Sequence, residues 1–175
     1  MIDLHFDEDM KIVGQIKNVP QTEEVVERLT DLESAKKAKT IGVLVAQKFL
    51  QDTDITDENF TNAELLVQRR ILLSFAAKIG FEYYIKDEKL SDIAQNSFAE
   101  HLKANGEEVY STSSDIGAIS FYYLAYRRDD DVERRIGQTF AMLCSHDGDP
   151  IFQELGEALY CWFLSAVKKI ISENL

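Results

Sequence analysis

The chain has 175 residues, of which 31 are Asp or Glu and 19 are Lys or Arg, for a formal charge of −12 at pH 7. Apolar residues make up 45 %, with only eight Gly and two Pro, which suits the core of one ordinary domain and excludes a turn-rich all-β sandwich or barrel. The same apolar fraction excludes an intrinsically disordered chain, and the negative charge disfavours nucleic acid, whose binders gain affinity by neutralising phosphates.

Residues 1–10 carry Asp3, Asp7, Glu8 and Asp9 and no Lys or Arg, so a secretory signal is not expected there. The two most apolar stretches, 71–85 and 155–171, are broken by Lys78 and Glu82 and by Glu157, Lys168 and Lys169. Neither reaches the ~20 uninterrupted apolar residues of a bilayer span. A cytoplasmic protein without membrane partners is expected. Cys144 and Cys161 do not suit a disulfide. If the chain reverses at Asp147-Gly148, the two lie about 15 Å apart along their helices, against a usual Cα separation of about 5.5 Å.

In residues 1–20, Ile2, Leu4 and Phe6 alternate with Asp3 and His5, the period of a half-buried strand. A short extended or hairpin arm is expected there, ahead of a helical domain over 21–175. From Thr22 the period becomes helical. Val25, Val26, Leu29 and Leu32 mark the face expected to be buried, and Glu23, Glu24 and Glu27 precede Lys36, Lys37 and Lys39 in the order that complements a helix dipole. Residues 40–50 either continue this helix past Gly42 or start another. An acidic connector, 51–60, leads to a capping box in which Thr61 and Glu64 each satisfy a backbone N–H of the other.

The next helix is apolar on most sides, from Leu65 to Ile79, which places it at the centre of the fold; its pattern can run past Gly80 through Tyr84. Leu90, Ile93, Ala94, Phe98 and Leu102 define another, stopped at Asn105-Gly106 by residues that accept a left-handed conformation. A polar loop is expected over 107–114. Three helices follow, with faces at Ile116, Ile119, Tyr123 and Tyr126; at Val132, Ile136, Phe140 and Leu143 after a second box of Asp130 and Glu133; and at Leu155, Leu159, Trp162, Ala166 and Ile170 after Asp149-Pro150. Their short connections favour antiparallel packing. The expected architecture is all-α, a single-domain bundle of six to seven antiparallel-packed helices. No internal repeat is present.

Several site-like segments fail on chemistry. In 52–58, Asp52, Asp54 and Thr56 fall where a calcium loop places oxygen ligands, but the sixth position holds Asp57 instead of Gly and the twelfth Ala63 instead of Glu. The His146-Asp147 pair is similar to that of the metal-dependent HD phosphohydrolases, yet no Asp follows Asp149 to complete a metal shell. No Glu-x-x-His pair for a di-iron bundle, Gly-x-Ser-x-Gly elbow or phosphate-cradling glycine loop occurs. Ser111 to Ser114 read as capping residues, and the Arg and Lys doublets carry their own counter-charges.

Two readings remain. The first is a non-catalytic protein that acts by protein contact, with no cofactor, steered to a basic partner by Asp7, Glu8, Asp9, Asp52, Asp54, Asp57 and Glu58. The second is an enzyme or small-molecule binder with a pocket between aromatic-bearing helices, in which Tyr123 or Tyr126 and an Arg such as Arg127 place the ligand. Homo-oligomerisation is compatible with either.

Overall fold

The computed structural model describes residues 22–53, 62–128 and 130–175, and over these the protein is an all-α bundle. Seven helices are present among the described residues: α1 (Thr22–Thr53), α2 (Ala63–Tyr84), α3 (Glu88–Asn105), α4 (Glu107–Ser113), α5 (Ile116–Tyr126), α6 (Val132–Leu143) and α7 (Pro150–Asn174). The arm expected over 1–20 lies outside the described residues.

Side-chain caps fix several helix starts. Asn62, Asp87, Asp115 and Asp149 each accept a hydrogen bond from a backbone N–H in the first turn of α2, α3, α5 and α7, at 2.9–3.1 Å, filling donors that the helix cannot satisfy itself. Asn62 therefore caps α2; the expected Thr61–Glu64 box rests on Thr61, which lies outside the described residues. At α6 the expected Asp130–Glu133 box does not form. Asp131 takes the cap position with φ 49° and no side-chain cap bond, while Asp130 turns to Arg135 at 2.9 Å. Gly106, at the end of α3, has φ −163°, an extended rather than left-handed conformation.

α2 is the hub, packed against each of the other six helices, as its all-round apolar sequence requires. Around it the chain direction alternates. Glu133 on α6 lies near Tyr160 and Cys161 on α7, and His146 past the end of α6 stacks on Phe152 near the start of α7, so these two helices are antiparallel. α1 and α7 are also antiparallel, with Phe49 on Phe163 and the Lys37 ammonium on the Leu175 carbonyl. In two other pairs the helices run the same way as each other. Ser97 bonds the Lys39 carbonyl and Gly106 meets Leu50, so α1 and α3 run in parallel. Phe75 faces Tyr160 and Gly80 faces Val167, so α2 and α7 do too.

Four expectations change. Residues 107–113 are helix, not loop. The Thr112, Ser113 and Ser114 hydroxyls donate to the carbonyls of Glu108 and Tyr110, and half-buried Val109 and Tyr110 dock on the core; this tertiary contact outweighs the weak helix propensity of the serines. On α5 the buried residues are Ala118, Tyr122 and Ala125, and Ile116 is 81 % exposed. Ile116, Phe121 and Leu124 leave this helix apolar on every side, so its pattern has no phase. On α7 the buried line is Gly156, Tyr160, Phe163, Val167 and Ile171, one position away from the expected stripe, with Trp162 42 % exposed. Gly156 causes the shift: a Cβ there would stand 2.5 Å from the Phe140 Cβ, so only glycine lets α6 approach on that face. Finally, Val25, Val26, Leu29 and Leu32 are not buried.

Candidate functional site

α1 has two halves. From Ala38 onward, Ile41, Val45, Ala46 and Phe49 are fully buried against α3 and α7. Before Ser34 every residue with a described side chain, 23–33, is exposed. These twelve residues span about 18 Å at ~1.5 Å each, and Leu32, at their inner end, lines a cleft with Ile93, Asn96 and Ser97 of α3. An isolated helix of that length is marginal in water; here the buried half supplies the nucleus. A Glu24–Arg28 ion pair one turn apart and a Thr30 hydroxyl bonded to the Val26 carbonyl add local support.

This projecting segment carries a seam. Val25, Leu29 and Leu32 follow each other at spacings of four and three, with Val26 beside them, and their exposures are 39, 60, 55 and 57 % respectively. That is the spacing of a helix that packs against another helix. The same segment carries five carboxylates, Glu23, Glu24, Glu27, Asp31 and Glu33, against the one guanidinium of Arg28; at about 100° per residue Glu23, Glu27 and Asp31 fall on the face opposite the seam and Glu24 and Glu33 at its flanks. Sequence reasoning assigned these residues to dipole complementation and to the core; the signal available was the density of acid around an apolar stripe.

The acidic residues singled out from sequence are placed differently. Asp52 is buried: Lys48 donates to its Oδ1 at 3.1 Å, while Oδ2 has no hydrogen-bond partner among the described residues. It faces Arg69, whose pKa is lowered by burial and supported by this carboxylate. Asp52 therefore ties α1 to α2 and is not displayed. Asp7, Glu8, Asp9, Asp54, Asp57 and Glu58 lie outside the described residues.

Tyr123 and Tyr126 come together on Phe75, with ring centroids at 5.2 and 6.2 Å. Tyr123 also lies under the Lys78 ammonium at 5.3 Å and donates to Glu82 at 3.4 Å. Burial raises the pKa of both phenols. Arg127 is exposed at the end of α5, with its backbone N–H on the Tyr123 carbonyl. The three do not enclose one cavity among the described residues. The clefts lie to either side. One, of about 280 Å³, is lined by Phe121, Leu124, Met142, Arg128 and Arg135. The other, of about 270 Å³, opens between α2, α3, α4 and α5 over Phe75, Phe81 and Phe98.

The remaining segments have structural roles. His146 stacks on Phe152 at 3.7 Å and lies 3.9 Å from Asp149, the cap of α7. Cys144 and Cys161 are both free. No group of three or more His, Cys, Asp or Glu able to hold a metal occurs among the described residues, and no helix among them is long and apolar enough to cross a membrane. No family model, curated protein or solved structure matches the chain.

Proposed function

We propose that the protein is a non-catalytic, cytoplasmic contact module that captures a basic amphipathic helix of another protein on the projecting half of α1. The observation that carries this reading is the exposed seam of Val25, Val26, Leu29 and Leu32 on a segment that also bears five carboxylates, of which Glu24 and Glu33 fall nearest the seam and the others toward the opposite face. The apolar seam supplies binding energy through burial, and the carboxylates supply selectivity and a fast, salt-sensitive encounter. A second copy of the chain is a poor occupant, because pairing two such segments would set five acids against five. Free cysteines fit the reducing cytoplasm.

The test is titration of the full chain with two labelled helical peptides of the same Leu spacing, one with Lys and one with Glu at the polar positions. The Lys peptide is expected to bind, to weaken as salt rises, and to lose binding to Leu29→Asp and to the paired change Glu24→Lys, Glu27→Lys. Equal binding of the two peptides, or an unchanged response from either variant, would overturn the reading. Sedimentation as a dimer through this segment would do so as well.

A further inference from the structure

We infer that the outward face of α5 pairs two copies of this chain, antiparallel about a two-fold axis, independently of the α1 seam. α5 is the only helix among the described residues that carries no charged side chain. Its residues Ile116, Gly117, Ser120, Phe121 and Leu124 are all exposed, and at about 100° per residue they share one face of the helix. Phe121 is 49 % exposed and Leu124 62 %. Met142 of α6, also exposed, extends this surface across the cleft that Phe121 and Leu124 line. Single exposed apolar residues are ordinary; a contiguous set such as this marks a contact surface.

Charge selects the occupant. Two copies of a chain of charge −12 repel over most of their surface, so a self-contact needs a face free of carboxylates, and α5 supplies one. The ends of the helix are of opposite sign. Asp115 caps the start, with Oδ1 accepting from the Ala118 N–H at 3.0 Å, and Arg127 and Arg128 follow the end, both exposed. Of the carboxylates that come next, Asp130 is already held by Arg135 at 2.9 Å. Antiparallel pairing brings each copy's arginines to the other's Asp115 and opposes the two helix dipoles. A parallel pair would set acid on acid and arginine on arginine.

The shape of the face agrees. A Cβ at Gly117 would meet only the Asp115 carboxylate, so the space above it is open. Gly117 and the short Ser120 leave a hollow between Ile116 and Leu124, and in the antiparallel arrangement the partner's Leu124 falls over it. The contact is small, since the eleven residues of α5 span only about 16 Å, which places the dimer in the weak, reversible class.

Sedimentation equilibrium of the full chain tests the assignment. A monomer–dimer equilibrium is expected, and Leu124→Asp abolishes it while circular dichroism reports an intact helical fold. Arg127→Glu with Arg128→Glu weakens the dimer at least about fivefold, the effect of losing an exposed ion pair at each end. Disulfide trapping under mild oxidation, with the native chain as control, reads the orientation. Ser120→Cys lies near the axis and cross-links. Ile116→Cys lies about 15 Å from its counterpart along an antiparallel pair, against a usual Cα separation of about 5.5 Å, and does not. Leu29→Asp leaves the dimer unchanged, so the result is separable from the proposed protein contact. The inference is overturned if the chain stays monomeric up to about 1 mM, if folded Leu124→Asp dimerises as before, if the arginine reversals leave the affinity unchanged, or if Ile116→Cys cross-links as readily as Ser120→Cys.

Discussion

The two halves of α1 carry the same pattern and meet opposite fates. Val25, Leu29 and Leu32 repeat at helical spacing, as do Ala38, Ile41, Val45 and Phe49, yet the first set is exposed and the second is sealed. The difference lies in what surrounds the stripe. The buried half includes Gly42, where a Cβ would stand 2.2 Å from the Ala94 carbonyl oxygen, so backbones touch and a neighbour is built in. The projecting half has no such small-residue contact and is crowded with carboxylates. Periodicity tells which face of a helix is apolar; it does not tell whether the chain supplies the cover.

The strongest way to test that contrast is truncation in the buried half. Phe49 packs edge-on against Phe98 and Phe163, with centroids at 5.7 and 6.0 Å. Phe49→Ala is expected to cost about 3–5 kcal/mol in a urea melt, since it removes a fully buried ring and leaves a cavity. A loss below about 1 kcal/mol would mean that α1 is not held as described. Gly42→Ala probes the same contact from the other side. Its methyl would collide with backbone, which cannot swing aside, and a loss of about 1–3 kcal/mol is expected. Gly117, which also lies within a helix, is exposed and meets only the Asp115 carboxylate that caps α5, at 3.2 Å; Gly117→Ala trades a gain in helix propensity against slight crowding of that cap and should change stability by less than about 1 kcal/mol.

Alkaline pH separates the interior from the projecting half more gently. Burial, reinforced by the charge of Glu64, raises the Cys144 thiol from 9.0 to about 11; burial also holds the Tyr122 and Tyr160 phenols well above their usual value. All three are neutral when folded, so the stability they carry is intact below their unfolded pKa values and is lost as pH rises through the folded ones. The melting temperature should therefore fall from about pH 9 upward, and ionisation of buried tyrosine should appear in the near-ultraviolet only with unfolding. Cys144→Ala should show a shallower decline between pH 9 and 11. An equal decline would mean that the thiol is more open to water than its packing implies.

What was legible in the sequence divides along the same physical line. The centrality of α2, its run past Gly80, the continuity of α1 through Gly42 as one of the two options left open, and the Asp149-Pro150 start of α7 all follow from local rules: apolar count, capping chemistry and proline at the first turn. The phases of α5 and α7 do not. α5 is apolar all round, so only its neighbours choose Tyr122 over Tyr123 for the interior. On α7 a clue was present, since Gly156 and, across from it, Gly137 are the small residues that permit close approach, a Cβ at Gly137 falling 2.3 Å from the Gln153 carbonyl. The exposure of the α1 seam was hidden for a related reason: burial belongs to a pair of surfaces, and one chain segment encodes only one of them.

The smallest effect on stability carries the largest contrast. Leu29 is 60 % exposed, among neighbours that are exposed as well, so Leu29→Ala removes little buried area. A change within about ±0.5 kcal/mol is expected in the urea melt, several-fold less than for Phe49→Ala on the same helix. A larger loss would mean that the seam is already covered within the folded chain, and the case for an external partner would fall with it. Alanine is also a better helix former than leucine, so local helicity is kept and any loss of binding to the basic helical peptide reports the seam itself. Stability unchanged and binding weakened is the signature of an interface; both unchanged leaves Val25, Val26 and Leu32 to carry it, which the triple change to alanine decides by the same two measurements.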